Sequence, residues 1–316
     1  MFRRSFVLIP AVALIAWGTA CNRETASRDA RPRVALVLKT LNNPFFIEMQ
    51  RGAEEAAKAL NVDLTVQAAE RETDVDKQMQ IIENLIQARV NALAVTPSGS
   101  REVVPAIGKA NQANIPVVIV DTRLDGKAAA DAGVRTASFV GSDNYRGGQL
   151  IGEYLVKASG GKAKVAILEG IAGHETGDSR VRGFRDAVKG APGIAVVASQ
   201  TANWERDQGF NVFQNILQAH PEVDTVFACN DMMALGAIEA INAGGKAGRI
   251  RVLGFDAVKD ARAALESGAM AATVAQYPDE MGKAAVEMAV KAIKGETVPA
   301  DIGVRIGLVT RENARQ

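Results

Sequence analysis

Apolar, β-branched runs recur at residues 34–38, 62–66, 92–95 and 117–120, and the stretches between them carry helical spacing, as in Val75, Met79, Ile82 and Ile86. A second series follows at 165–168, 194–198, 225–228 and 252–255, matching the first in number and spacing. Strands that are apolar throughout and linked by helices belong to parallel sheets covered on both faces. The pattern therefore predicts an α/β protein made of two doubly wound parallel-sheet units. Ligands of such sheets sit beyond the carboxyl ends of the strands, so the candidate chemistry is sought there.

The first residues break the pattern. Arg3 and Arg4 precede an apolar run over 6–17 interrupted by Pro10, and Gly18, Thr19 and Ala20 lead to Cys21. This is the order of a secretory signal peptide over residues 1–20, and the run is short for a membrane span. Cys21 resembles the acylated cysteine of a bacterial lipoprotein, although Gly18 stands where leucine is usual and Gly18 with Ala20 also suits ordinary signal peptidase. Arg3-Arg4-Ser5-Phe6 has some resemblance to a twin-arginine signal. Residues 21–32 are polar and aperiodic, as a tether would be.

Composition narrows the class. At 47% hydrophobic and 23% charged residues, the chain is neither disordered nor a polytopic membrane protein. Loss of residues 1–20 takes away Arg3, Arg4 and no acid, leaving 35 basic against 36 acidic side chains, a net charge of −1. No bulk positive charge exists to hold nucleic acid or an anionic membrane. Two cysteines and two histidines supply neither a disulfide framework nor a His/Cys zinc site, and no cofactor is expected.

Lys39 to Phe46 follow the first strand, Asp121-Thr122-Arg123 the fourth, Asn230-Asp231 the third of the second series, and Asp256 the last. Hydroxyl groups both donate and accept, so fixed amides, carboxylates and cations beside aromatic faces suit a sugar. Each position also has a plainer role: Asn42 or Asp231 as a helix N-cap, Pro44 in a first turn, Phe45 or Phe46 in a core.

The phrases TLNNPFF (40–46), NQANIPVV (111–118), GSDNYRGG (141–148), VFACNDMMALGA (226–237), VLGFDA (252–257) and TVAQ (273–276), with the segment 170–184, resemble the ribose-binding-protein group of periplasmic sugar-binding proteins. The likeness runs from Arg33 nearly to the C-terminus. It implies two lobes joined by a hinge of three crossing strands, one comprising 33–142 plus 277–305 and the other 143–276 plus 306–316. Carried over by position, it implies sugar contacts from Asn43, Phe45, Phe46 and Asp121 on one lobe. Arg180, Trp204, Asn230 and Asp256 would contribute from the other, with Gln276 at the hinge and Phe46 and Trp204 sandwiching the ring. Ser142, at the lobe boundary, joins the candidate set.

Three departures bear on specificity. Thr122 follows Asp121 where ribose binders carry arginine, which is displaced to Arg123. Lys39 resembles the ring-contacting lysine of arabinose-type relatives. The loop His174-Glu175-Thr176-Gly177-Asp178 is rich in titratable groups, and for His174 and Glu175 a solvent-facing and a cleft-facing role are both open. Trp204 is either a core residue or a stacking surface.

The resemblance implies a monomeric, exported receptor that binds a monosaccharide or related polyol and delivers it to an ABC permease, touching the membrane only through a lipid at Cys21. A chemotaxis or quorum-signal receptor would reuse the same fold. A lac-repressor-type regulator would need a DNA-reading module where the signal peptide stands. No enzyme is expected: GxSxG, GxxxxGK[ST] and HExxH are absent, His220 reads as a helix-end residue and Cys229 as a small buried thiol.

Overall fold

The computed structural model describes Phe2 and residues 31–315, so the expected signal peptide, Cys21 and nearly all of the tether lie outside the described residues. Residues 31–316 form one compact unit. Its first half runs β1 (Arg33–Leu38), α1 (Pro44–Leu60), β2 (Asp63–Ala68), α2 (Val75–Gln87), β3 (Ala92–Val95), α3 (Val104–Gln112), β4 (Val117–Val120), α4 (Gly126–Asp131) and β5 (Ser138–Ser142). The second runs α5 (Asn144–Ala158), β6 (Lys162–Glu169), α6 (Glu175–Val188), β7 (Gly193–Thr201), α7 (Arg206–Ala219), β8 (Thr225–Ala228), α8 (Asp231–Ala243), β9 (Arg251–Asp256), α9 (Lys259–Ser267) and β10 (Ala272–Ala275). Then come α10 (Pro278–Ile293), β11 (Asp301–Val304) and β12 (Gly307–Thr310).

Two six-stranded sheets result, ordered β2-β1-β3-β4-β5-β11 and β7-β6-β8-β9-β10-β12. The first is parallel throughout; in the second only β12 is antiparallel, pairing with β10. The chain passes between sheets after β5, after β10 and between β11 and β12. Central strands such as β3, β4 and β8 are wholly buried, while β2 and β7 lie at the sheet edges and are only partly covered. Burial on both faces explains why the central strands read as unbroken apolar runs.

Helices α1 and α10 cover one face of the first sheet, with Met49, Ala53, Met281 and Ala285 in that core, and Ile82, Leu85, Val103 and Ile107 of the α2–α3 region cover the other. Two crossings place a helix on the lobe opposite the strand before it: α5 packs on α6, and α10 on α1. The α5–α6 contact admits no side chain at its centre. A Cβ at Gly148 would overlap the Arg180 carbonyl, and one at Gly183 would overlap that of Tyr145. The two backbones therefore touch, which fixes the height of Arg180 on α6.

Candidate functional site

The carboxyl ends of both sheets face one pocket between them. Lys39 stands directly after β1, Asp121 after β4, Asn230 after β8, Gln276 after β10, and Asp256 ends β9. Asn43, Phe45 and Phe46 come from the start of α1, Arg180 from α6 and Trp204 from the turn before α7. These ten were expected from the sequence. Glu72, after β2, and Thr176, on α6, complete the lining and were not anticipated. Glu72 obeys the same strand-end rule as the others, which is the signal that could have found it.

On the first lobe a buried lysine faces two buried carboxylates. Lys39 Nζ lies 3.8 Å from Glu72 and 3.4 Å from Asp121, and 5.6 Å from the centre of the Phe46 ring. Asn43 Nδ2 donates to Glu72 at 3.1 Å, and Thr122 Oγ1 donates to Asp121 at 3.0 Å. Burial pushes the Glu72 carboxyl up to about 7, against the opposing pull of Lys39 and the Asn43 amide.

On the second lobe the cation is an arginine with its bonds already made. Arg180 Nε donates to Asn144 Oδ1 at 2.9 Å and Nη1 to the Cys229 carbonyl at 2.6 Å. The guanidinium lies 3.7 Å from the centre of the Phe255 ring, and Nη1 is 3.8 Å from Asp256 Oδ1. Gln276 Nε2 donates to that carboxylate at 2.7 Å. Burial raises the pKa of Asp256, opposed by Arg180 and reinforced by nearby Asp231. Asp231 accepts from Thr273 Oγ1 at 2.8 Å and from the Val258 N–H at 2.9 Å, so it pins the turn that carries Asp256.

The backbone is held in unusual shapes here. Asp121, Trp204 and Asp256 have φ of 63°, 68° and 118°, in the region that favours glycine. Each such residue costs of order ~1–3 kcal/mol, a cost that persists where surrounding structure over-determines the conformation.

The plain readings are settled in a mixed way. The N-caps are Asn43 and Asn230, whose side chains accept from the Phe45 and Met233 N–H groups, rather than Asn42 and Asp231. Both caps also line the cavity. Trp204 is 4% exposed and part of the second lobe's core, yet its ring borders the cavity too; a Cβ at Gly170 would overlap the indole.

Two expected residues lie elsewhere. Arg123 is 43% exposed, stacked 3.6 Å from the centre of Phe139 and paired with Asp301 at 2.6 Å. Beyond the left-handed turn at Asp121 it is Thr122 that lies buried beside the carboxylate. Ser142, at the end of β5, borders the same outer depression as Arg123 and not the cavity.

The titratable loop joins the lobes. His174 Nε2 meets the Ser98 carbonyl at 2.8 Å, the Glu175 N–H donates to Ser100 Oγ at 3.3 Å, and Thr176 Oγ1 donates to Thr122 Oγ1 at 3.1 Å. His174 is buried and Glu175 partly so, which corrects the solvent-facing alternative for the histidine.

Residues 34–297 match the family model of the periplasmic binding protein domain. The chain belongs to the periplasmic binding protein family. This periplasmic binding protein is 40% identical over 305 residues to the ribose import binding protein RbsB of Salmonella typhimurium, covering 96% of this chain and 97% of that one. It is 35% identical over 287 residues to the D-allose-binding periplasmic protein of Escherichia coli, covering 90% and 92% respectively. A solved periplasmic solute-binding protein of an ABC transporter from Actinobacillus succinogenes, with bound D-allose, superposes with a TM-score of 0.84 at 41% identity. That match covers 90% of this chain and 99% of the other. Family membership places the protein among exported periplasmic binding proteins.

Proposed function

We propose that this protein is the extracytoplasmic receptor of an ABC importer, holding one pentose, hexose or related polyol between its lobes. The observation that carries the reading is the chemistry of the pocket between the sheets. Two cations, three carboxylates and three amide side chains converge there beside the rings of Phe45, Phe46 and Trp204. Hydroxyl groups donate to carboxylates and accept from cations, and bonds to an ionised partner are the stronger kind. Gln276 Oε1 is a buried acceptor without a partner among the described residues, and a hydroxyl on the ligand satisfies it. The relatives named for ribose and allose support the sugar class.

The protein is a receptor and not an enzyme. Burial pushes the Cys229 thiol up to about 12, and the cavity's polar groups are arranged to hold hydroxyls rather than to attack them. A ligand shifts the lobes toward closure only by binding the closed arrangement more tightly than the open one. Lobes of 33–142 plus 277–305 and of 143–276 plus 306–316, turning about the three crossings, would supply that motion, and the closed outline would be what the permease receives.

A thermal-shift screen across pentoses, hexoses, deoxysugars and polyols tests the reading. At 100 times its dissociation constant a ligand adds ~2.7 kcal/mol of stability. Absence of any shift across all four classes overturns it. The mature chain is proposed to begin at an acylated Cys21 and to be monomeric. Intact mass of membrane-extracted protein and light scattering check these two features independently of the sugar.

A further inference from the structure

His174 makes two hydrogen bonds that together define its proton. The Ser98 carbonyl can only accept, so Nε2 carries the hydrogen; the indole N–H of Trp204 can only donate, so Nδ1, at 3.4 Å, is the bare acceptor. One ring therefore links an aromatic wall of the cavity on its own lobe to the strand-end loop of the other. We propose that His174 is a positioning residue that couples the Trp204 ring to lobe closure, acting as a latch only in its neutral, Nε2-protonated form. This rests on the receptor reading above.

A second proton on the ring would aim Nδ1–H at the indole N–H, donor against donor. The surroundings already oppose it: burial and the nearby Lys39 bring the imidazole down to about 3, against the favourable Ser98 carbonyl and Asp121. Its own helix contributes Glu175 and Asp178. When the lobes part, the Ser98 contact and the enclosure are lost and the ring returns toward its ordinary value near ~6.5. Closure must then expel a proton at acid pH. The imidazole's pKa is lower in the closed form, so its contribution to closure is present above the open-form value and fades as pH falls below it. The limit is about tenfold in affinity per pH unit. Glu72 and Asp256 are raised in the enclosed cavity and act in the opposite direction, so the informative quantity is the difference between the parent and a non-titrating variant.

The experiment uses the mature chain that begins at Cys21, in which Trp204 is the sole indole. The parent, His174→Gln and His174→Leu are titrated with D-ribose and D-allose between pH 5.5 and 8, following Trp204 emission, with unfolding curves taken alongside. His174→Leu is expected to bind about tenfold or more weakly, the loss of ~1.4 kcal/mol or more. His174→Gln, which can still donate to Ser98, is expected to recover most of the affinity at pH 8. It is also expected to lack the acid weakening that the parent shows relative to it. Equal pH profiles for the parent and His174→Gln, or parent-like binding by a folded His174→Leu, overturn the latch. A second arm needs no sugar: acid quenching of Trp204 emission by the imidazolium is expected in the parent and not in His174→Gln, and the same quench in both overturns the contact. If no sugar of any class binds the parent, the receptor reading falls, while the emission arm still decides the histidine–indole pair.

Discussion

Both lobes present a cation with carboxylate partners to the cavity, two on the first lobe and one on the second, yet they prepare them differently. Arg180 is fixed on four sides by Asn144, the Cys229 carbonyl, Phe255 and Asp256. Lys39 meets its two carboxylates at 3.4 and 3.8 Å, longer than a good charge-assisted bond. A planar guanidinium locked by several partners is a rigid template, whereas an ammonium on a flexible stem is a movable point charge. On the proposed reading the second lobe would thus offer a preformed face, and the first groups that could rearrange around a ligand's hydroxyls.

The sharpest way to break this contrast is Arg180→Leu. It leaves Asp256 buried without its cation and the Cys229 carbonyl without a donor, so a loss of ~3–5 kcal/mol in unfolding free energy is expected, together with loss of sugar binding. A cost under ~1 kcal/mol in urea titration would show that the preformed face is not held by Arg180.

Next comes Glu72→Gln. The Glu72 carboxyl is raised from 4.5 to about 7, so the folded state binds its proton more tightly than the unfolded chain does. Its contribution is therefore favourable at acid pH and is lost as pH rises from 4.5 to 7, by up to about 3 kcal/mol for this fully buried group. Glu72→Gln should flatten the stability profile across that window and make the protein more stable than the parent at pH 8. An unchanged profile in denaturation between pH 4.5 and 8 would refute the assignment.

Asp256→Asn keeps the shape and removes a charge from the rigid face. Sugar affinity should fall by ~1.5–3 kcal/mol, about ten- to a hundredfold, with the fold intact. Calorimetric titration giving parent-like affinity would remove Asp256 from the binding set.

The smallest effect belongs to Arg123→Ala. Its ion pair with Asp301 is exposed on both sides, so ~0–1 kcal/mol of stability and no change in sugar affinity are expected. A large loss of affinity would return Arg123 to the site and undo the distinction between the cavity and its outer rim.

Much of the architecture could be read from the chain because a strand buried on both faces must be apolar throughout. Runs such as 92–95 and 225–228 therefore stand out, as do the polar groups that follow them. Lys39, Asp121, Asn230 and Asp256 stand where that rule looks, and the family resemblance then singled them out. The crossing segments β5, β10, β11 and β12 left no comparable run in the hydrophobic pattern. β11 and β12 are only partly covered, and the buried β5 and β10 have serine and glycine or threonine among their residues, which interrupts the apolar pattern.

Sequence by itself determined the alternation of strands and helices, the strand ends where chemistry collects, and the residue types gathered there, since each depends on local pattern and burial. Tertiary structure alone decided which loops meet across the lobes. Only the turn at Asp121, with its φ of 63°, puts Thr122 beside the carboxylate and leaves Arg123 outside. Only the apposition of the two sheets brings His174 to Ser98, 76 residues away in the chain, because contacts between distant segments follow from packing and carry no periodicity to read.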